Sequence, residues 1–264
     1  DWVEHTECLG GAYEAYLIDD VLRSVSGVSS VGTISQSQAV KYAQNRGKGF
    51  QLFDWEMHKD VGNLHFFKYG NTDSQGVCGY GTNNYQKVTG FTNALGMRDT
   101  VSYYKEKGGS NPQAEGAYRD GVNYQSVNVL GYENFQGNKA EWLQYVTVNK
   151  TAADGRWFIT MPDGTERIVQ GITVYNADIY PTHMVWGQYM DLIAAKEGGS
   201  TSSHWFDRFY VGTGLSRVVC RSSSYANAFG GVSCAYAHSD SSSSVASIGV
   251  RLAFRGIIRW AGSV

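Results

Sequence analysis

Charged side chains are scarce in this chain, because Lys, Arg, Asp and Glu together make up only 17% of its 264 residues. Globular domains usually contain about a quarter. The formal net charge is −2, so no excess of basic residues is available to contact a phosphate backbone or an anionic membrane surface. We therefore expect no nucleic-acid partner.

Long apolar runs and cysteines are also few. No stretch approaches the roughly 18 uninterrupted apolar residues of a spanning helix, so membrane insertion is not expected. The four cysteines, Cys8, Cys78, Cys220 and Cys234, are too few for a disulfide framework, and the sequence leaves open whether Cys220 pairs with Cys234. The 32 glycines and the 14% of aromatic residues predict instead a loop-rich chain with aromatic anchors.

Residues 219–249 show a regular alternation of small and varied residues. Ala occupies every second position within 225–229 and again within 234–238, whereas the residues between are aromatic, amide, thiol and imidazole. Because successive strand residues point to opposite faces, the pattern predicts a constant inner face and a free outer face. The segment also has no Lys, Glu, Gln, Met or Trp, which are residues that an NNY codon cannot encode.

Residues 230–256, GGVSCAYAHSDSSSSVASIGVRLAFRG, resemble the C-terminal variable region of phage proteins that are diversified by retroelements. In that family, adenine-directed mutagenesis randomises AAY codons. Four upstream segments are similar to the same group: ECLGGAYEAY at 7–16, LRSVSGV at 22–28, FQLFDWE at 50–56 and KYGN at 68–71. The resemblance covers most of the chain and is weakest over residues 145–201.

The resemblance implies a fold and a site. The fold would be a C-type lectin fold related to formylglycine-generating enzymes: one α+β domain over residues 1–264, with two N-terminal helices, short antiparallel strands and long loops. A variable ligand-binding segment would lie at about 222–247, with its variable positions at Ser223, Tyr225, Asn227, Phe229, Cys234, Tyr236, His238, Ser239, Ser243, Val245 and Ser247.

The composition of these positions is that of a paratope, because aromatic residues give rigid contact area and Ser and Asn give adaptable hydrogen bonds. Framework residues would be Gly230, Gly231, Asp240 and Arg251. The double glycine would turn the chain and Asp240 would bond nearby backbone amides. Salt bridges from Arg221 and Arg251 are an open alternative. Free thiols are favoured, because phage proteins mature in a reducing cytosol.

Local signals predict several elements. Ser35 followed by Gln38 is a capping-box pattern that predicts a helix from about Gln36 to Arg46. A second predicted helix begins after Asp54 and stops at Gly70 and Asn71. Apolar runs on either side of the turn sequence at 162–164 predict a β-hairpin. Alternating apolar residues from Ile248 to Phe254 predict a half-buried strand.

Motifs for catalysis or metal binding are weak, so we predict no enzyme, no catalytic residue and no cofactor. GxSxG, HExxH and phosphate-binding glycine loops are missing, as are the proline-containing calcium motifs of animal lectins. A copper site like that of the related oxidases would have to use Cys220 and Cys234, which lack most of the basic neighbours that activate thiolates. His58 and His65 share a helix face and could join a metal site, although partly buried histidines are the favoured interpretation.

The expected function is therefore receptor binding and host adhesion by a phage subunit at the virion surface or tail, made in the host cytoplasm. Its partners would be a host-surface protein or glycan receptor and other virion or tail proteins, and relatives suggest a homotrimer. Two alternatives stay open: a bacterial cell-surface adhesin of the same family, and a structural virion protein that binds no ligand.

Overall fold

The computed structural model describes residues 2–82, 88–95, 99, 126–171, 178–200, 207–222 and 230–261. Within these ranges the helices are α1 (Gln36–Gln44), α2 (Trp55–Tyr69) and α3 (Ser74–Cys78), with a 3-10 turn at Asn93–Leu95. The strands of the first half are β1 (Trp2–Gly10), β2 (Ala15–Ile18), β3 (Val21–Ser24), β4 (Ile34–Ser35), β5 (Phe50–Leu52), β6 (Asn128–Val129) and β7 (Tyr132–Glu133).

The remaining strands are β8 (Ala140–Val148), β9 (Arg156–Thr160), β10 (Glu166–Gln170), β11 (Asp178–Ile179), β12 (His183–Trp186), β13 (Leu192–Lys196), β14 (Phe209–Val211), β15 (Arg217–Arg221), β16 (Ala235–Ser239), β17 (Ser244–Val245), β18 (Ile248–Gly249) and β19 (Leu252–Ala261). The largest sheet has the order β10-β9-β8-β15-β16-β14-β11, with β18 paired to β8. A three-stranded sheet, β1-β19-β5, joins the two ends of the described chain.

The prediction of a C-type lectin fold, an α+β domain of two N-terminal helices with short antiparallel strands and long loops, is wrong. The described residues contain far more strand than helix, with three short helices and a large sheet that curls into a half-barrel. The physical reason lies after residue 140, where long strands such as β8 carry apolar side chains toward both faces. The core is consequently built on the sheet, and β14–β16 and β8–β18 pair in parallel rather than antiparallel fashion.

Both predicted helices are present, because their ends are determined by local capping. Ser35 and Gln38 form the expected capping box, and α1 ends at Gln44, two residues earlier than predicted. Asp54 accepts a hydrogen bond from the Met57 amide at the start of α2. Gly70 has a φ of 60° and its amide donates to the Phe66 carbonyl at a distance of 2.8 Å, so it ends the helix in the left-handed conformation.

The predicted hairpin is also present, formed by β9 and β10 with Gly164 at a φ of 84°. The prediction of a half-buried terminal strand is only partly correct. Val250 and Leu252 are buried as expected, but Arg251 and Ala253 on the other face are buried too. The chain from β18 into β19 is therefore enclosed on both sides.

Two apolar clusters lie on opposite faces of the large sheet. Adjacent residues of β8 point into different clusters. Leu143 belongs to the cluster beneath α2, and Trp142 belongs to the cluster beside α1. On β15, Val219 likewise belongs to the cluster beneath α2 and Cys220 to the cluster beside α1. This alternation determines which side chains of the neighbouring strand β16 reach the surface. No helix among the described residues combines the length and the apolar composition that crossing a bilayer requires.

Candidate functional site

Strand β16 carries the second half of the Ala alternation. Ala235 and Ala237 are fully buried in the cluster beneath α2. Tyr236 is half-buried and His238 is exposed on the opposite face. The prediction that the interleaved alanines point inward is confirmed for these two, whereas Ala226 and Ala228 lie outside the described residues.

The outer face of β16 forms an aromatic group with β14, which runs parallel to it. Tyr210 lies in register with Tyr236, and their ring centroids are 6.3 Å apart in an edge arrangement. His238 stacks on Tyr210 with a centroid distance of 4.7 Å and an interplanar angle of 17°. The Arg208 guanidinium lies 5.3 Å from the Tyr236 ring centroid. These contacts restrict the rings before any ligand arrives.

A pocket of about 320 Å³ opens beside this aromatic group. We call it the outer pocket, and its lining residues are Ala140, Trp142, Arg208, Tyr210, Cys220, Tyr236, His238, Ser239, Val245, Ser247 and Ile248. Five of them are predicted variable positions: Tyr236, His238, Ser239, Val245 and Ser247. The last two reach the pocket because β17 pairs with β4 and β18 pairs with β8.

The other six lining residues were missed by sequence reasoning. Trp142, Arg208 and Tyr210 lie far from the variable segment in the chain and carry no local motif. A second pocket of about 360 Å³, lined by Leu9, Phe50 and other residues, contains none of the predicted variable positions. The outer pocket is therefore the stronger candidate site, although the two differ little in size.

A scan against models of known protein families finds no match, and a search of the curated proteins finds none either. The resemblance to retroelement-diversified phage proteins therefore stays a prediction. The same holds for the absence of an enzymatic activity, for the partners and for the virion or cell-surface location. What can be argued further rests on the geometry of the outer pocket.

Two predicted variable positions that the structure describes, Cys234 and Ser243, do not line the outer pocket. Cys234 is fully buried, so its side chain is not on the outer face. Ser243 is partly buried in a turn, where its hydroxyl donates to Asp240 Oδ1 at 3.2 Å. The remaining four predicted variable positions lie outside the described residues: Ser223, Tyr225, Asn227 and Phe229.

The prediction that Asp240 bonds nearby backbone amides is confirmed. Its Oδ1 accepts hydrogen bonds from the Ser242 amide at 2.9 Å and from the Ser242 hydroxyl at 2.6 Å. These bonds lower the pKa of the Asp240 carboxyl, because they stabilise its ionised form. Asp240 thus holds the turn between β16 and β17, two strands that carry predicted variable positions to the outer pocket.

The turn before β16 is held by its main chain. Four consecutive amides, those of residues 230–233, donate to buried side chains: Gln75 Oε1 at 3.1 Å, Asp207 Oδ1 at 2.8 Å, Ser74 Oγ at 3.0 Å and Asp207 Oδ2 at 2.9 Å. A Cβ on Gly231 would lie only 2.4 Å from Ser74 Oγ, which explains the glycine. The Ser233 hydroxyl also donates to Asp207 Oδ2 at 2.5 Å, so the anchor depends on Gly231 and Ser233 as well as on the main chain of the turn.

The open question about the two arginines is resolved by their contacts. Arg251 is fully buried, pairs with Glu141 at 2.7 Å and donates to the carbonyls of Gly11 and Ala12. Arg221 lies 5.0 Å from the Trp55 ring centroid and donates to the Val232 carbonyl at 3.4 Å. Burial lowers the pKa of Arg221 to about 10, so it remains charged at neutral pH. Arg251 is the arginine that forms a structural salt bridge.

The histidines considered for metal binding are buried in the core. His58 stacks on Phe135 with a centroid distance of 4.5 Å, and His65 Nε2 lies 3.4 Å from Cys78 Sγ. Burial lowers the pKa of His65 to about 4 and that of His58 well below its usual range, so both rings are neutral at pH 7. Among the described residues, no group of three or more His, Cys, Asp and Glu is arranged to hold a metal ion.

Cys220 and Cys234 are free thiols, which confirms the favoured interpretation. Burial raises the pKa of Cys220 to about 12 and that of Cys234 well above its usual value. Both therefore stay protonated at neutral pH in the metal-free protein. Cys220 contributes to the outer pocket as a small apolar group.

Proposed function

We propose that this protein is a retroelement-diversified binding protein, in which the side chains around the outer pocket contact a host receptor. In a phage it would act as a receptor-binding or host-adhesion subunit. The observation that supports the proposal is the separation of faces along β16: Ala235 and Ala237 lie in the core, whereas Tyr236 and His238 line the pocket.

This separation suits a protein whose surface must change while its fold persists. Substitution of an outward side chain alters the ligand contacts but removes little from the core, so stability changes little. Substitution of an inward alanine would force new volume between packed strands. Because the aromatic rings beside the pocket are already restricted by their contacts, less side-chain entropy is lost on binding. Many copies of the protein on one particle would add avidity to weak single contacts.

Comparison of this locus among related isolates tests the proposal directly. We expect substitutions to concentrate at Tyr236, His238, Ser239, Val245 and Ser247, with a template repeat nearby. The inward alanines, Asp207 and Arg251 should stay constant. An even spread of substitutions without a repeat would contradict diversification and favour the structural virion protein, while neighbouring secretion genes instead of tail genes would favour the bacterial adhesin.

A binding assay tests the role of the pocket. The purified protein would be incubated with a panel of bacterial cells, and the bound fraction measured by flow cytometry. A double variant, Tyr236→Ala with His238→Ala, should lose binding to the cells that the wild type recognises. Tyr189→Ala is the control, because Tyr189 is an exposed tyrosine that does not line the pocket. Equal loss in the control would contradict the proposed site.

A further inference from the structure

We propose that the outer pocket receives one apolar side chain, aromatic or branched aliphatic, from a protein receptor rather than a sugar ring from a glycan. The inference rests on the proposed function and deepens it, since it names the class of partner. Four features of the pocket support the inference: the chemistry of its floor, its size, the chemistry of its rim, and the location of the predicted variable positions at the rim rather than at the floor.

The floor of the pocket is apolar and consists mainly of carbon atoms and the protonated thiol of Cys220. Ala140, Trp142 and Cys220 are nearly or fully buried, and Ile248 packs against the same apolar cluster. The one polar atom of the Trp142 ring, Nε1, already donates to the Ile34 carbonyl at 3.0 Å. A hydroxyl pressed against this floor would therefore lose water without gaining a good partner.

A sugar ring fits this chemistry poorly, because it carries hydroxyls around its whole perimeter. Sites that bind such rings need several convergent hydrogen-bonding groups. The described lining residues include no Asp, Glu, Asn or Gln. Apart from the Trp142 ring and the Cys220 thiol, the hydrogen-bonding side chains of the lining belong to six residues outside the floor: Arg208, Tyr210, Tyr236, His238, Ser239 and Ser247. An apolar side chain, in contrast, has no hydrogen-bonding group to satisfy and gains free energy from every part of the floor that it covers.

The size of the pocket points to a single inserted group. Its volume of about 320 Å³ lies at the lower end of the range for small-ligand sites. The rim carries hydroxyls from Ser239 and Ser247, which could meet the backbone of a partner chain around the inserted side chain. Arg208 is the only Lys, Arg, Asp or Glu among the described lining residues.

The pocket also combines a floor outside the predicted variable positions with a rim that carries five of them. Ala140, Trp142, Cys220 and Ile248 belong to β8, β15 and β18, outside the predicted variable positions. Variation at the rim would then change which partner surface is accepted, while the floor would accept the same kind of anchoring side chain in every variant. Hot spots at protein interfaces often consist of such a buried anchor side chain surrounded by contacts that contribute little binding energy.

Ligand-observed NMR on the full chain tests the inference with small probes. N-acetylphenylalanine presents an aromatic side chain with a carboxylate, and methyl glucoside presents a sugar ring. We expect N-acetylphenylalanine to bind with millimolar affinity and methyl glucoside to give no signal. Ser247→Trp should weaken the aromatic probe about tenfold or more by filling the rim. Val245→Trp serves the same purpose if the first variant does not fold.

Ile168→Trp is the matched control, because Ile168 is 52% exposed on β10 and lies outside the pocket. It should bind the aromatic probe like the wild type. The inference is overturned if methyl glucoside binds more tightly, if neither probe binds, or if the control loses as much affinity as Ser247→Trp. These outcomes can be told apart from those of the comparison of isolates. If the predicted positions vary among isolates but neither probe binds, the inference about the pocket is wrong and the proposed function stands. If the aromatic probe binds but the positions are invariant, the proposed diversification is wrong and the inference about the pocket stands.

Discussion

The two neighbouring residues Ala237 and His238 should respond in opposite ways to substitution. Ala237 is fully buried and lies in register with Val211 of β14, which is also fully buried. His238 is exposed and packs on one side against the Tyr210 ring. Ala237→Leu therefore adds three carbon atoms to a closed layer, whereas His238→Ala removes a ring from the surface.

The expected magnitudes differ clearly. Extra methylenes in a packed core cost about 1–3 kcal/mol, and for a chain of this size each kcal/mol lowers the melting temperature by roughly 2–4 °C. Ala237→Leu should thus lower the melting temperature by about 2–12 °C. Loss of one aromatic contact should cost His238→Ala about 1 kcal/mol or less, or roughly 4 °C at most.

Urea unfolding followed by tryptophan fluorescence, together with thermal melts, measures both effects. The cell-binding assay should give the reverse order, with His238→Ala losing affinity and Ala237→Leu keeping it in the folded fraction. If His238→Ala destabilised the protein as much as Ala237→Leu, the assignment of the two faces of β16 would be refuted. The same result would remove the main support for the proposed function.

Three further predictions concern the scaffold. Arg251→Met should lower the free energy of unfolding by about 3–5 kcal/mol in urea titrations, because Glu141 is left as a buried, unpaired charge; little loss would show that water reaches the pair. Leu252→Ala should lose about 2–5 kcal/mol by opening a cavity, and a loss below 1 kcal/mol would contradict its burial. Burial raises the pKa of Glu14 to about 7 and that of Asp207 to about 6, so between about pH 4 and pH 7 the folded state holds protons that the unfolded state has released. The contribution of these two carboxyls to stability therefore falls as pH rises through this window, by roughly 1.4 kcal/mol per pH unit for each group, while His58 and His65, whose pKa values are lowered, contribute in the opposite sense. Asp207→Asn removes one carboxyl contribution, so the stability of this variant relative to the wild type should rise between about pH 4 and pH 6, and a constant difference would contradict the raised pKa of Asp207.

Some of this protein could be predicted from its sequence, because the responsible interactions are local. The capping box at Ser35 and the cap at Asp54 each involve residues three apart, and both helices begin where those residues predict. The hairpin at Gly164 follows from turn chemistry within a few residues. The inward direction of Ala235 and Ala237 follows from the two-residue period of a strand, which needs no knowledge of its neighbours.

The fold class and the completed site were decided only by the tertiary structure. Residue pairs distant in the chain determine both: Tyr210 meets Tyr236 through a parallel pairing, Trp142 lies opposite Cys220 in an antiparallel one, and Arg251 finds Glu141 across the core. No local pattern encodes these partners, since a strand shows which of its faces is apolar but not which strand will lie beside it. The alternation predicted which side chains of β16 point outward, and only the packing of the sheet showed the pocket that Tyr236 and His238 line.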